Sequence, residues 1–108
     1  MTDRIYSFLG LATKAGKLVS GDDTCERMIK SGKANLVIVA EDASENTRKA
    51  FIDSCNYRDI PIRLFGLKQL LGRYTGKDNR AVMAILDSGF AERLIELIDE
   101  SKKNCGGE

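Results

Sequence analysis

Two stretches of this chain, residues 36–40 (LVIVA) and 81–86 (AVMAIL), are apolar at every position. A strand with one wet face alternates apolar and polar residues. An unbroken apolar run is what a central strand covered on both faces requires. Any fold for this chain must therefore bring helices to both sides of a sheet.

The segments around the two runs supply such helices. Residues 3–14 place Ile5, Phe8, Leu9 and Ala12 at helical spacing, and Gly16 ends that pattern. Residues 17–20 read as a short strand. Asp22 or Asp23 caps a second helix with Cys25, Met28 and Ile29 on its apolar face, and Gly32 stops it. Ser44 caps a third helix through about Cys55, with Ala50, Phe51 and Ile52 near its buried side. Pro61 precedes a strand over residues 62–65. Leu67, Leu70 and Leu71 mark a short helix closed near Gly72. Residues 88–100 form a final helix with Phe90, Leu94, Leu97 and Ile98. Helix and strand alternate throughout, which predicts an α/β sandwich with helices on both faces of one sheet. The 108 residues suit one domain, over residues 1–100, with a flexible C-terminal tail over 101–108. No run approaches the ~20 apolar residues of a membrane span, and no signal-peptide pattern opens the chain, so a cytoplasmic protein is expected.

Composition removes several function classes. There is no histidine, which takes away the commonest general base and the commonest metal ligand. The three cysteines, Cys25, Cys55 and Cys105, lack CxxC spacing, against a disulfide framework or a zinc knuckle. Cys25 and Cys55 read as buried thiols and Cys105 as an exposed one. Residues 10–17 (GLATKAGK) look like a phosphate-binding loop but have one residue too many between the glycines. Leu18 stands where a hydroxyl should follow the lysine, and the stretch follows a helix where the motif follows a strand. No catalytic set, cofactor site or metal site is legible.

Charge is more informative in its distribution than in its sum of +1. Lys14, Lys17, Arg27, Lys30 and Lys33 cluster in one segment, and Arg63, Lys68, Arg73, Lys77 and Arg80 in another. Acids gather over residues 41–59 and 87–100. Segregated signs allow one basic face on a near-neutral protein.

The segment SGDDTCER (residues 20–27) sits between these features. A strand, a glycine and a helix start suit an anion, yet Asp22 and Asp23 stand there. Carboxylates at a helix N-terminus serve as caps and complement the helix dipole. They also accept hydrogen bonds from guanine N1 and N2, while an arginine donates to O6 and N7. Asp23 and Arg27 are four residues apart and share one helix face. The combination suits nucleobase edges. Regular A-form RNA hides those edges, whereas a kinked RNA with G·A pairs exposes them.

LGLATKAGKLVSGDD, ANLVIVAEDAS and LGRYTGKDNRAVMAILDSGFA together resemble the kink-turn-binding ribosomal protein superfamily, of L-seven-Ae and L-thirty-e type, and most of all its bacterial YlxQ-type branch. The likeness covers residues 4–98. It implies a three-layer α-β-α sandwich around a four-stranded mixed sheet. It implies non-catalytic binding of structured RNA with G·A pairs at a bend, ribosomal or regulatory. A monomer with no cofactor and no membrane association is expected. The family's G-x-N-E-x-x-K motif falls on Gly21, Asp23, Thr24 and Arg27, and only the glycine is kept outright. Arg27 keeps the charge, Asp23 loses an amide donor and Thr24 loses an acid. Two further loops of the family match the surroundings of Ser44 and Glu45 and residues 78–82. The RNA-binding set implied is Lys17, Ser20, Gly21, Asp22, Asp23, Thr24, Arg27, Lys30, Ser44, Lys77, Arg80, Ala81 and Val82. Ala81 and Val82 either pack on a splayed base or belong to the core at a strand start. The altered motif leaves a second reading open, a protein-interaction module of the translation or transcription machinery docking through its acidic third and fifth helices.

Overall fold

The computed structural model describes the backbone of residues 2–106 and the side chains of residues 3–102. The elements are α1 (Thr2–Lys14), β1 (Leu18–Ser20), α2 (Asp22–Lys30), β2 (Leu36–Val39), α3 (Glu45–Tyr57), β3 (Ile62–Leu64), α4 (Lys68–Tyr74), β4 (Val82–Ile85) and α5 (Ser88–Gly106). The strands form one four-stranded sheet in the order β1-β4-β2-β3. β4 is antiparallel to both its neighbours, and β2 and β3 are parallel, so the sheet is mixed. α2 and α3 cover one face, and α1, α4 and α5 the other. The three-layer α-β-α sandwich is the architecture the two apolar runs demand.

Those runs become the two central strands. Every residue of β2 and β4 is fully buried, with Leu36 opposite Ile85 and Val39 opposite Val82. Ile5 and Leu9 of α1, Ile29 of α2, and Leu94 and Ile98 of α5 pack against them. The edge strands are short, three residues each, which limits unpaired backbone at the sheet margins.

Three helices end in the same way. Gly16, Gly32 and Gly76 all have left-handed backbone, with φ of 73°, 77° and 74°. Each is followed by a lysine whose N–H reaches back five residues: Lys17 to the Ala12 carbonyl, Lys33 to Met28 and Lys77 to Gly72, at 2.9, 3.0 and 2.8 Å. The glycine N–H in each case reaches back three residues. These are Schellman closures, and they satisfy carbonyls that a helix end otherwise leaves open.

Several local expectations need correction. Neither Asp22 nor Asp23 caps α2; Gly21 is its N-cap and both aspartates lie inside the first turn. α4 does not close at Gly72 but runs on to Tyr74 and turns at Gly76. Gly72 is instead a contact point, fully covered, where any Cβ would overlap the carbonyl oxygen of Asp78. Ala50 is exposed, and Phe51 and Cys55 form the buried side of α3. The last helix extends past Glu100 to Gly106. Residues 107–108 of the expected tail, and the side chain of Cys105, lie outside the described residues. Ser44 does cap α3, its Oγ accepting the Thr47 N–H at 3.2 Å.

Gly72→Ala must push the 76–79 turn away from α4, because the obstacle is backbone. Urea unfolding should show a loss of about 1–3 kcal/mol, against a few tenths for alanine at exposed Gly89, where the nearest atom is the side-chain carboxylate of Asp87.

Candidate nucleic-acid interface

The register of the sheet gathers four connections at one pole. β1 leads there into α2, β2 into α3 and β3 into α4, and β4 begins there. Backbone hydrogen bonds lace these connections together. The Gly21 N–H donates to the Val82 carbonyl at 3.1 Å, Ala40 to Ala81 at 2.8 Å, and Glu41 to Gly66 at 2.7 Å. Asp42 reaches across to accept the Lys68 N–H at 2.9 Å, and so caps α4 from another loop. Sequence spacing offered no signal for that contact, since the partners are 26 residues apart.

Gly21 holds φ 102° and ψ 145°, a conformation closed to side chains without strain. No side chain caps the helix it starts. The first-turn N–H groups of α2 therefore face outward as open donors, at the positive end of the helix dipole. Asp22 and Asp23 are exposed on that same turn, Thr24 is half-buried, and Arg27 is exposed one turn on. Arg27 takes part in no ion pair among the described residues. Two carboxylates and a guanidinium thus stand unengaged on one helix start.

Arg80 adds the second half of the site. Its Nε donates to the Ser20 Oγ at 3.0 Å, and its Nη1 to the Asn79 carbonyl at 3.2 Å. This fixes a half-buried guanidinium beside the hinge between β1 and α2. Beside it a cleft of about 320 Å³ follows edge strand β1, lined by Thr13, Thr24, Thr75, Lys77 and Arg80 together with Leu18, Val19 and Ser20 of the strand. Lys77 also borders an open depression of about 660 Å³ with Gln69, Arg73, Asp78 and Asn79. Arg73 belongs to the second basic cluster of the sequence, whereas Thr13, Gln69 and Thr75 come to these hollows from α1, α4 and the end of α4, a meeting that no local pattern signals.

Of the thirteen residues anticipated, the pole unites Ser20, Gly21, Asp22, Asp23, Thr24, Arg80 and Ala81, with Arg27 one turn away. Ser44 lies at the same pole, but its hydroxyl is engaged in capping α3. Lys77 lies part-way down the β1 edge. Lys17 and Lys30 stand apart from this pole. Lys17 immediately precedes β1, where its carbonyl accepts the Leu86 N–H, and Lys30 ends α2, so both lie at the opposite pole. Val82 is also withdrawn, for its side chain has no exposed surface and belongs to the core. Ala81 is half-buried.

Beneath the site the two thiols are shut away from solvent and unbonded to each other. Burial pushes the Cys25 thiol up to about 12, with Asp22 and Cys55 adding to it, and the Cys55 thiol up to about 11. Among the described residues no group of three or more acids or thiols is placed to hold a metal ion. No described helix is long and apolar enough to cross a membrane.

The profile of the family described as ribosomal protein L7Ae/L30e/S12e/Gadd45 matches residues 3–95. The RNA-binding protein YlxQ of Bacillus subtilis (strain 168) is 45% identical over 94 residues, covering 87% of this chain and 94% of that one. The large ribosomal subunit protein eL8 of Cenarchaeum symbiosum (strain A) is 29% identical over 109 residues, covering 100% of this chain and 86% of its own. Among solved structures, a protein with unknown function from Bacillus halodurans C superposes with a TM-score of 0.85 at 38% identity, over 88% of this chain and 96% of that one. The 15.5 kD RNA binding protein of Giardia lamblia superposes with a TM-score of 0.76 at 20% identity, over 88% and 84% of the two chains, and shares the fold.

Two outcomes follow from the geometry of this region. Gly21→Ala should cost about 1–3 kcal/mol in denaturant unfolding, the strain of a side chain at this backbone conformation. The thiols make a prediction of opposite character. Their folded pKa values lie above the unfolded one, so the folded state holds protons that the unfolded state releases. Stability should therefore be complete below about pH 8.5 and fall as pH rises toward 11–12, by at most about 1.4 kcal/mol per pH unit per thiol. Unfolding of the wild type compared with Cys25→Ala across pH 8–11 isolates the Cys25 share.

Proposed function

The chain belongs to the ribosomal protein L7Ae/L30e/S12e/Gadd45 family, and on that premise we propose that it is a non-catalytic protein that binds structured RNA at a sharp bend. The observation that carries the reading is the α2 start. Open N–H donors, two carboxylates and a free arginine stand there beside an arginine anchored on Ser20. That set reads the edges of guanines in G·A pairs, with Asp23 taking the N1 and N2 donors and Arg27 giving to O6 and N7. The bend opens a groove that regular RNA closes. The relatives named as RNA-binding and ribosomal proteins support the class of partner. The target is a ribosomal or regulatory RNA, engaged by a single copy of the chain.

The departures from the family motif have a physical counterweight. Asp23 lacks an amide donor, but the uncapped first turn offers backbone donors nearby. Arg27 presents a planar fork where a lysine presents a point charge, which favours two hydrogen bonds to one guanine. Arg80 supplies a second fork whose orientation is already set before RNA arrives.

Titration calorimetry against a short kink-turn RNA, and against the same RNA with its G·A pairs made Watson–Crick, tests the proposal. Binding to the first should exceed binding to the second by tenfold or more; equal binding to both removes bend-and-guanine recognition. Arg27→Ala should weaken the first complex by about 1–3 kcal/mol. The log–log salt slope should be about −2 to −4, because a compact site neutralises few phosphates.

A further inference from the structure

Lys17 and Lys30, which the fold removes from the α2 start, do not stand alone at the far pole. Lys14 and Lys33 accompany them, as does Arg58 at the end of α3. Lys14-Ala15-Gly16-Lys17 and Lys30-Ser31-Gly32-Lys33 are the same corner built twice. The helix-final lysines, Lys14 and Lys30, have an ordinary explanation, since cations favour a helix C-terminus. Lys17 and Lys33 do not. They follow the glycine, outside the helix, where a Schellman closure commonly places an apolar residue that packs back on the last turn. Here both positions are exposed cations on rigid backbone.

Their spacing is set by the sheet. Lys17 leads into β1 and Lys33 toward β2, and these strands flank β4. The Leu86 N–H bonds the Lys17 carbonyl at 2.8 Å, and the Asn35 N–H bonds the Ile85 carbonyl at 2.7 Å. Both corners are therefore pinned near one end of β4, and the strands they lead into lie about two strand spacings or ~10 Å apart. Arg58 joins them through its Nη1, which donates to the Lys30 carbonyl at 3.2 Å. Its guanidinium also lies 5.9 Å from the ring of Tyr57, which is 85% exposed. Acids in sequence beside these corners include Glu26, one turn before Lys30, Asp59, and Asp87, which already accepts the Phe90 N–H. Lys77, the third lysine on a Schellman corner, lies between the poles on the cleft along β1.

We propose that Lys77, Lys17 and Lys33 form a phosphate-contacting track that leads from the α2 start along the β1 edge to the opposite pole, where it holds the backbone of an arm of the bound RNA. The proposal rests on the RNA-binding reading above and adds a second contact surface to it. The track reads no sequence, because lysines on phosphates neutralise charge without specifying bases. The principal extents of the molecule are 36 × 29 × 25 Å, and the length of the RNA arm decides how much of the track it covers.

The experiment compares two RNAs, a bent RNA with minimal arms and the same RNA with both arms lengthened by a full helical turn. Wild type, Lys17→Ala/Lys33→Ala and Arg27→Ala/Arg80→Ala are titrated against each over a range of salt. The lysine variant should bind the short RNA within twofold of wild type. It should bind the long RNA about tenfold more weakly at low salt, with a salt slope shallower by about 2. Lys17→Arg/Lys33→Arg should restore the long-RNA affinity. The arginine variant should lose affinity for both RNAs. If the lysine variant binds the long RNA with wild-type affinity and slope, the track is overturned and the α2 site stands. If wild type binds neither RNA, both readings fall together.

Discussion

The antiparallel pairing of β2 with β4 is the constraint on which the rest of the molecule depends. Both strands are buried over their whole length, so both sheet faces must be roofed by helices. The pairing of Val39 with Val82 also decides where the loops go. It sets the end of β2 beside the start of β4, and the β1–β4 pairing does the same for Ser20. One register thus delivers Gly21, Ser44 and Arg80, which are far apart in the chain, to a common pole. A slip of one residue would turn core residues outward and scatter that pole at the same time.

Much of this was legible in the residues, and the failures have physical causes. The apolar runs, the helical spacing of Ile5, Phe8, Leu9 and Ala12, and the Ser44 cap all express local rules, and the fold keeps them. Gly72 misled because glycine has two uses. A glycine near a helix end usually supplies a left-handed turn, but this one supplies room for the backbone of Asp78, a contact set by tertiary packing. Asp22 and Asp23 misled because glycine can itself take the N-cap, which moves the acids into the first turn. Lys17 and Lys30 were grouped with the helix start by nearness in sequence, although three residues of strand and two turns of helix reverse their location. Val82 was left open between core and contact, and its burial resolves it to core.

Rigidity and freedom are divided along the candidate interface. Ser20, Gly21 and Arg80 are held by hydrogen bonds to their surroundings, while Asp23 and Arg27 project without partners among the described residues. The held groups define a frame at little entropic cost on binding, and the free ones adjust within it. Tyr6 braces the same frame from the other layer. Its hydroxyl accepts the Leu67 N–H at 3.1 Å, and its ring stacks on Tyr74 at 5.1 Å, which ties α1 to both ends of α4.

The chain has no histidine, and its two buried thiols are pushed further from neutrality. None of its side-chain types ordinarily changes charge between about pH 5 and 8. A surface composed of lysines, arginines and carboxylates then keeps one electrostatic pattern throughout that range. Such a surface is deaf to acidification and attentive to ions: a polyanion held on it would be released by monovalent salt and magnesium, which compete for the same phosphates, and not by protons.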